Sequence, residues 1–366
     1  MRAVLSQVSK FRLSTRRAFS AAPSDRTGGA GIGNVENKIL PSTNNSMLYK
    51  HCKYPRTATL IGAPMTYGQP YVGTDAGPSI LREKGLRNIL TSLGWRVEDL
   101  PELDFDTYQV ATTVDPPKAR NCAIVANGAR KLADVVESTL QKGRFPLVLG
   151  GDHSIGIGSL TGILRVLPNI GIIWVDAHAD LNTPATSSSG NMHGMPVGLL
   201  LDHPEDTAVD FSKLPGFDFL IDGPRVSPEQ IVYIGLRDLD PTERIWIKKL
   251  GIKAFTMYDI DHLGIGRVMD KAFEHLLKDD PDRPLHLSYD IDAVDPVLAP
   301  ATGTTVRGGL TYREAHFVAE FVAQSGNLAS AEIVELNPTL SDDGGADETI
   351  ELGEQIISSF MGKSII

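Results

Sequence analysis

The chain has 366 residues, 42% hydrophobic and 22% charged, with a formal net charge of -10 and only two cysteines. No apolar run approaches the roughly 18 residues of a membrane span, and an acidic chain lacks the basic footprint of a nucleic-acid binder; neither a membrane nor a nucleic acid is an expected partner. Cys52 and Cys122 form no CxxC and no dense framework, so a disulfide scaffold and a thiolate zinc site are both set aside and a reducing interior compartment fits.

Residues 1–24 carry Arg2, Lys10, Arg12, Arg16 and Arg17 among Ser, Ala, Leu, Val and Phe, with no acid before Asp25. That composition resembles a mitochondrial targeting presequence, with Arg17-Ala18-Phe19-Ser20 similar to a processing site; the matrix is the expected location and the cytoplasm the alternative. Residues 25–55 read as a flexible Gly/Ser/Asn-rich linker, and residues 56–366 as one domain. From Thr57, the run TATLIGAP predicts a strand, GPSILREKGLRNILTSLG has helical period, and a long helix is expected from about Lys118 to Lys142. Further strands are predicted at FPLVLGG, IGIIWVDAH, QIVYIGLRD, IKAFTMYDI, PLHLSYDID and ASAEIVELNP, with a polar surface excursion around Asp202 to Pro228. Most of these strands are continuous apolar runs, as expected where helices cover both faces of a sheet. The fold class is therefore α/β with a mainly parallel sheet.

Charge collects where the strands end. Asp152 and His153 follow VLGG, Asp176, His178 and Asp180 follow IIWV, Asp238 and Asp240 follow YIGLR, Asp290 and Asp292 follow LHLSY, and Glu335 follows EIV. Open α/β sheets bind ligands at this edge, so one shared site and one domain are expected. In DAHAD and DID the ionisable residues alternate, and an extended backbone would present each set on one face. Four aspartates crowded together without cations would raise one another's pKa and oppose folding; two dications would balance their charge. Carboxylates with His153 and His178, and no thiolate, suit hard or borderline ions. Manganese is the first choice, and cobalt, iron, nickel or zinc could take the same ligands.

GGDHS, DAHAD and SYDIDAVDP resemble the three signatures of the ureohydrolases, and the finer pattern resembles the arginase family over roughly residues 57 to 340. The resemblance implies a single-domain, three-layer α/β/α fold with about eight mainly parallel strands. It also implies two Mn2+ per subunit, one held by His153, Asp176, Asp180 and Asp290 and the other by Asp176, His178, Asp290 and Asp292. The implied reaction is hydrolysis of L-arginine to L-ornithine and urea by a metal-bridging hydroxide.

LNTP (181–184) and SGNMHG (189–194) are similar to arginase segments at the substrate's amino-acid end. By that resemblance Asn182, Ser189 and Asn191 contact the α-carboxylate, and Thr183 and Asp238 lie at the same end, Asp238 near the α-amino group. Amides and hydroxyls can donate to a carboxylate, and Asp238 can accept from an ammonium. Asp180 is the expected proton acceptor, His193 a proton shuttle because an unperturbed imidazole titrates near neutrality, Glu335 the planar partner of the guanidinium, and Thr304 a neighbour of it. The remaining histidines are expected to be structural or surface residues. Agmatinase or another guanidino hydrolase is the alternative activity, and a guanidino-compound sensor the non-enzymatic one. Tyr312-Arg313-Glu314 resembles a subunit-contact segment and suggests a homo-oligomer, a trimer or a multiple of it, although the chain ends soon after its last predicted helix.

Overall fold

The computed structural model describes residues 48–105, 116, 118–204, 208–341 and 344–365. The presequence expectation and most of the linker lie outside the described residues. Eight parallel strands form one sheet: β1 (Thr57–Ala63), β2 (Arg96–Asp99), β3 (Phe145–Gly150), β4 (Gly171–Val175), β5 (Ile231–Leu236), β6 (Lys253–Thr256), β7 (Leu285–Asp290) and β8 (Leu328–Val334). Their order is β2-β1-β3-β8-β7-β4-β5-β6. The helices are α1 (Gly77–Glu83), α2 (Leu86–Ser92), α3 (Cys122–Gln141), α4 (Gly156–Val166), α5 (Pro196–Leu200), α6 (Pro241–Leu250), α7 (Met257–Leu263), α8 (Ile265–Leu277), α9 (Tyr312–Gln324) and α10 (Gly345–Phe360).

The apolar strand runs divide their side chains between two cores, which is why they show no simple alternation of apolar and polar residues. On one face Leu60, Leu147, Val175, Ile234, Leu287 and Ile333 pack with α1, α2, α8, α9 and α10. On the other, Ile61, Val148, Trp174, Tyr233 and Val334 pack with α3, α4, α5 and α6. The architecture is a three-layer α/β/α sandwich. Between β3 and β4 the chain skips two places in the sheet, later filled by β8 and β7. The C-terminal ends of β3, β8, β7, β4 and β5 are thereby consecutive along one edge, at the switch point where α/β sheets hold ligands.

Three local expectations change. The run IKAFTMYDI is a strand only to Thr256, because Thr256 and Asp259 form a reciprocal capping box that starts α7 inside the apolar run. The helical stretch after Gly77 breaks at Gly85, which has φ 99°. Residues 48–55, grouped with the linker by composition, are partly packed: Tyr49 is buried against Trp95 and Phe145, its hydroxyl donates to Phe360 O (2.7 Å), and Lys50 N donates to Gly326 O (2.9 Å).

Candidate metal centre and active-site cleft

The strand exits build the site, but not as a pleated wall. β4 ends at Val175, and Asp176 to Asp180 form a bent exit in which Asp180 adopts a left-handed backbone, φ 50°. Asp292 sits in the short 3-10 turn 291–293, capped by Asp290 through its Oδ1 (2.8 Å to Asp292 N). Glu335, just past β8, is also left-handed, φ 65°. Left-handed backbone is costly for side-chain-bearing residues and concentrates at functional sites.

These bends gather two groups of ligand atoms. His153 Nδ1 lies 3.1 Å from Asp176 Oδ2, 3.0 Å from Asp180 Oδ2 and 3.1 Å from Asp290 Oδ2. His178 Nδ1 lies 3.1 Å from Asp292 Oδ2 and 3.4 Å from Asp176 Oδ1. His153, Asp176 and Asp290 form one potential cation site, and Asp176, His178 and Asp292 the other; Asp176 gives one oxygen to each. Asp290 stands with the first group, its Oδ1 being occupied by the Asp292 amide.

Whether a cation fits can be tested on His153. Glu332 accepts the hydroxyl hydrogen of Ser288 (2.7 Å), so the 2.8 Å contact between Ser288 Oγ and His153 Nε2 has the imidazole donating. Nδ1 is then the nitrogen left facing three carboxylates, buried and, among the described residues, without a hydrogen-bond partner. A ring fixed by an outer partner, with its other nitrogen aimed at carboxylate oxygens, is how a metal-ligating histidine is held. The His153 ring also stacks on Trp174, 4.2 Å between centroids, and Trp174 Nε1 donates to Asp176 Oδ2 (3.0 Å). The residues fit a binuclear metal site.

Charge compression tells the same story. Burial and the Asp176 charge push the Asp180 carboxyl up to about 6. Burial, Asp292 and Asp176 raise Asp290 well above the carboxylate range. Burial opposes charge on His178, yet Asp292 and Asp176 raise its pKa. Burial likewise works against an ionised Asp176, but His153 and His178 hold it below the usual range.

A cleft opens above these candidate ligands, lined by His153, His178, Asp180 and Asp290, and by Asn182, Ser189, Asn191, His193, Asp238 and Thr304. Thr304 Oγ1 donates to Asp292 Oδ2 (2.8 Å), which ties it to the ligand set. Asn182 is held at both ends of its amide, by Asp240 Oδ2 (2.9 Å) and Thr186 Oγ1 (3.0 Å). Thr183 is not on this cleft; with Pro184, Val209 and Leu214 it borders a separate apolar crevice. Glu335 is buried beneath the cleft: Oε1 accepts from His153 N (2.8 Å) and lies 3.4 Å from His193 Nδ1, while Oε2 accepts from Gln69 Nε2 (2.6 Å). Burial lowers the pKa of His193, but Glu335, Asp180 and Asp152 outweigh it and raise the net value.

Gln69, Glu243, Ser288 and Glu332 carry no expectation from the sequence, and Asp240 none beyond its place at a strand end, whereas Asp152 was readable as a cap after the Gly-rich strand exit. Glu243 lines the cleft, accepts from Leu181 N (3.0 Å) and Asp240 N (2.8 Å), and is pushed by burial up to about 7. Asp240 and Glu243 form a capping box at α6, and the D-P-x-E pattern was the signal available for it. Asp152 caps the turn 153–155 and accepts from Gly68 N (2.8 Å); burial and Glu335 push it up to about 6.

The arginase family model matches residues 56–362. The chain belongs to the arginase family. It is 40% identical over 333 residues to an arginase of Glaciozyma antarctica, covering 90% of this chain and 93% of that one. It is 42% identical over 336 residues to Arginase-2, mitochondrial, of Homo sapiens, covering 90% of each. The arginase structure from Bacillus caldovelox superposes with a TM-score of 0.75 at 39% identity, covering 85% of this chain and all of the other. The two ligand groups sharing Asp176 are the candidate metal site of this family member.

Proposed function

We propose that the chain hydrolyses L-arginine to L-ornithine and urea, using two Mn2+ held by His153, Asp176, Asp180, His178, Asp290 and Asp292. The observation that carries this reading is the composition of one cleft: cation-ligating carboxylates and imidazoles at the floor, and amide, hydroxyl and carboxylate groups at the mouth. Bound there, the ions supply Lewis-acid charge and acidify water into a nucleophile at neutral pH. Membership in the arginase family and the oxygen-rich donor set both favour manganese.

Each protein group then has a defined task. Ser189 Oγ, Asn191 and Asn182 receive the α-carboxylate, directly or through water, and Asp238 receives the α-ammonium. Among the described residues no hydrogen bond to the Asp238 carboxylate competes with that role. Asp180 carries the proton that the leaving nitrogen needs to depart as an amine. His193, in contact with Glu335 at the cleft wall, exchanges protons with solvent. Glu335 pairs with the guanidinium, which shares Oε2 with Gln69. Thr304 steadies Asp292, and Thr183 supports the 182–186 turn from behind.

Residues 1–24 act as a matrix-targeting presequence, supported by their basic, acid-free composition and by the mitochondrial human relative; a cytoplasmic form is the alternative. The enzyme assembles as a homo-oligomer, a trimer or a multiple of it, and exposed Tyr312 supports an interface at the start of α9. Sedimentation of the mature protein tests this, and a monomer alone would remove it. The activity is tested by urea release from L-arginine and agmatine side by side. Preference for agmatine would reassign the substrate, and no turnover of either would leave a guanidino-compound sensor.

A further inference from the structure

We infer that Gln69 is a positioning residue for the substrate guanidinium, its side-chain amide fixing the rotation of the Glu335 carboxylate; this rests on the reading of Glu335 as the guanidinium partner. Glu335 offers two oxygens. Oε1 is committed to the His153 backbone amide, and Oε2 is held by Gln69 Nε2 at 2.6 Å. With both oxygens pinned, the carboxylate plane is set before substrate arrives, and planar pairing with parallel N–H donors depends on that plane.

The orientation of Gln69 follows from the contact itself, in which Nε2 is the donor and the Glu335 carboxylate oxygen the acceptor. Oε1 is turned toward Gly303, where a Cβ would stand 2.5 Å from it, and among the described residues it is buried without a hydrogen-bond partner. An unpaired buried acceptor costs stability, and an apolar side chain at this place would avoid the cost. A residue serving only to fill space has no reason to carry it. The loop bearing Gln69 is meanwhile fastened by other atoms: Gly68 N donates to Asp152 Oδ2 (2.8 Å), and Gly68 O accepts from His193 N (3.1 Å). Val72 O accepts from Asn337 Nδ2 (3.0 Å) and Thr339 Oγ1 (2.9 Å). The Gln69 amide is thus free to serve Glu335 and not the loop's own fold. Being neutral, it holds the carboxylate without opposing a cationic substrate, as a lysine there would.

The test compares Gln69→Met with the parent in the metal-loaded full chain, using L-arginine as substrate and L-ornithine, which lacks the guanidinium, as competing ligand. Gln69→Met should lose on the order of ten-fold in kcat/KM for L-arginine, while the ornithine inhibition constant stays within about two-fold and the melting temperature holds or rises. Gln69→Asn, one methylene shorter, should show the same split if the methionine variant folds poorly. Parallel weakening of arginine and ornithine, or unchanged arginine turnover, would overturn the inference. Glu335→Gln serves as the control: if it turns over L-arginine normally, the role of Glu335 falls first, whereas its inactivity beside an unaffected Gln69→Met rejects Gln69 alone.

Discussion

Removing the metal ions should make this protein's stability fall as pH rises. Four aspartates and two imidazoles share one buried edge, and without cations their repulsions are answered only by protons. Asp180 is lifted from 3.8 to about 6, which favours the protonated folded state by about 3 kcal/mol, and about half of that is lost between pH 5 and 8. His178 is raised from 6.5 past this window, so its folded form keeps a proton that the unfolded chain releases, worth a further ~2 kcal/mol between the same limits. Both signs agree: a raised folded pKa gives stability that is full below the unfolded value and lost as pH climbs through the folded one. Asp176, held low, is ionised in both states above pH 5 and adds no slope there. Chelator-treated protein, unfolded by urea at pH 5, 6.5 and 8, should therefore weaken by a few kcal/mol across the series. The metal-loaded protein should not, because cations replace the protons. An apo form as stable at pH 8 as at pH 5 would refute the charge-compression argument.

Ser288→Ala removes the acceptor of His153 Nε2–H; metal affinity, read by chelator competition, should drop roughly ten- to hundred-fold with the fold intact. His193→Ala should keep both ions by elemental analysis but turn over at least about 100-fold more slowly, and a metal-depleted variant would exclude the shuttle role. Gly190 has φ 77°, and a Cβ there would stand 2.7 Å from Lys118 Cα. Gly190→Ala should destabilise by about 1–3 kcal/mol and raise KM for L-arginine more than it lowers kcat, because it displaces Ser189 and Asn191 but not the metal residues.

Much of the site was legible because strand ends in a parallel sheet announce themselves: an apolar run closed by acids at Asp176, Asp290 or Glu335 says where the side chains go, though not in which conformation. The alternation in DAHAD suggested a pleated face, yet Asp176 to Asp180 leave the strand and reach their targets through the left-handed turn at Asp180, a choice enforced by neighbours distant in sequence. β2 escaped notice because Arg96–Asp99 is a short edge strand without an apolar signature. Ser288 and Glu332 look like ordinary strand residues until β7 and β8 pair and set them opposite each other. Gln69 has no local signal at all, since its contact with Glu335 spans 266 positions.

The central claim, a binuclear metal centre that drives hydrolysis in this cleft, is met most directly by titrating metal-free protein with Mn2+ while urea release from L-arginine and bound metal per chain are followed together. Activity should rise to its plateau at two ions per chain, and Asp176→Asn, which alters the residue shared by both groups, should fail to reach it. A plateau at one ion per chain, or full activity in Asp176→Asn, would contradict the account.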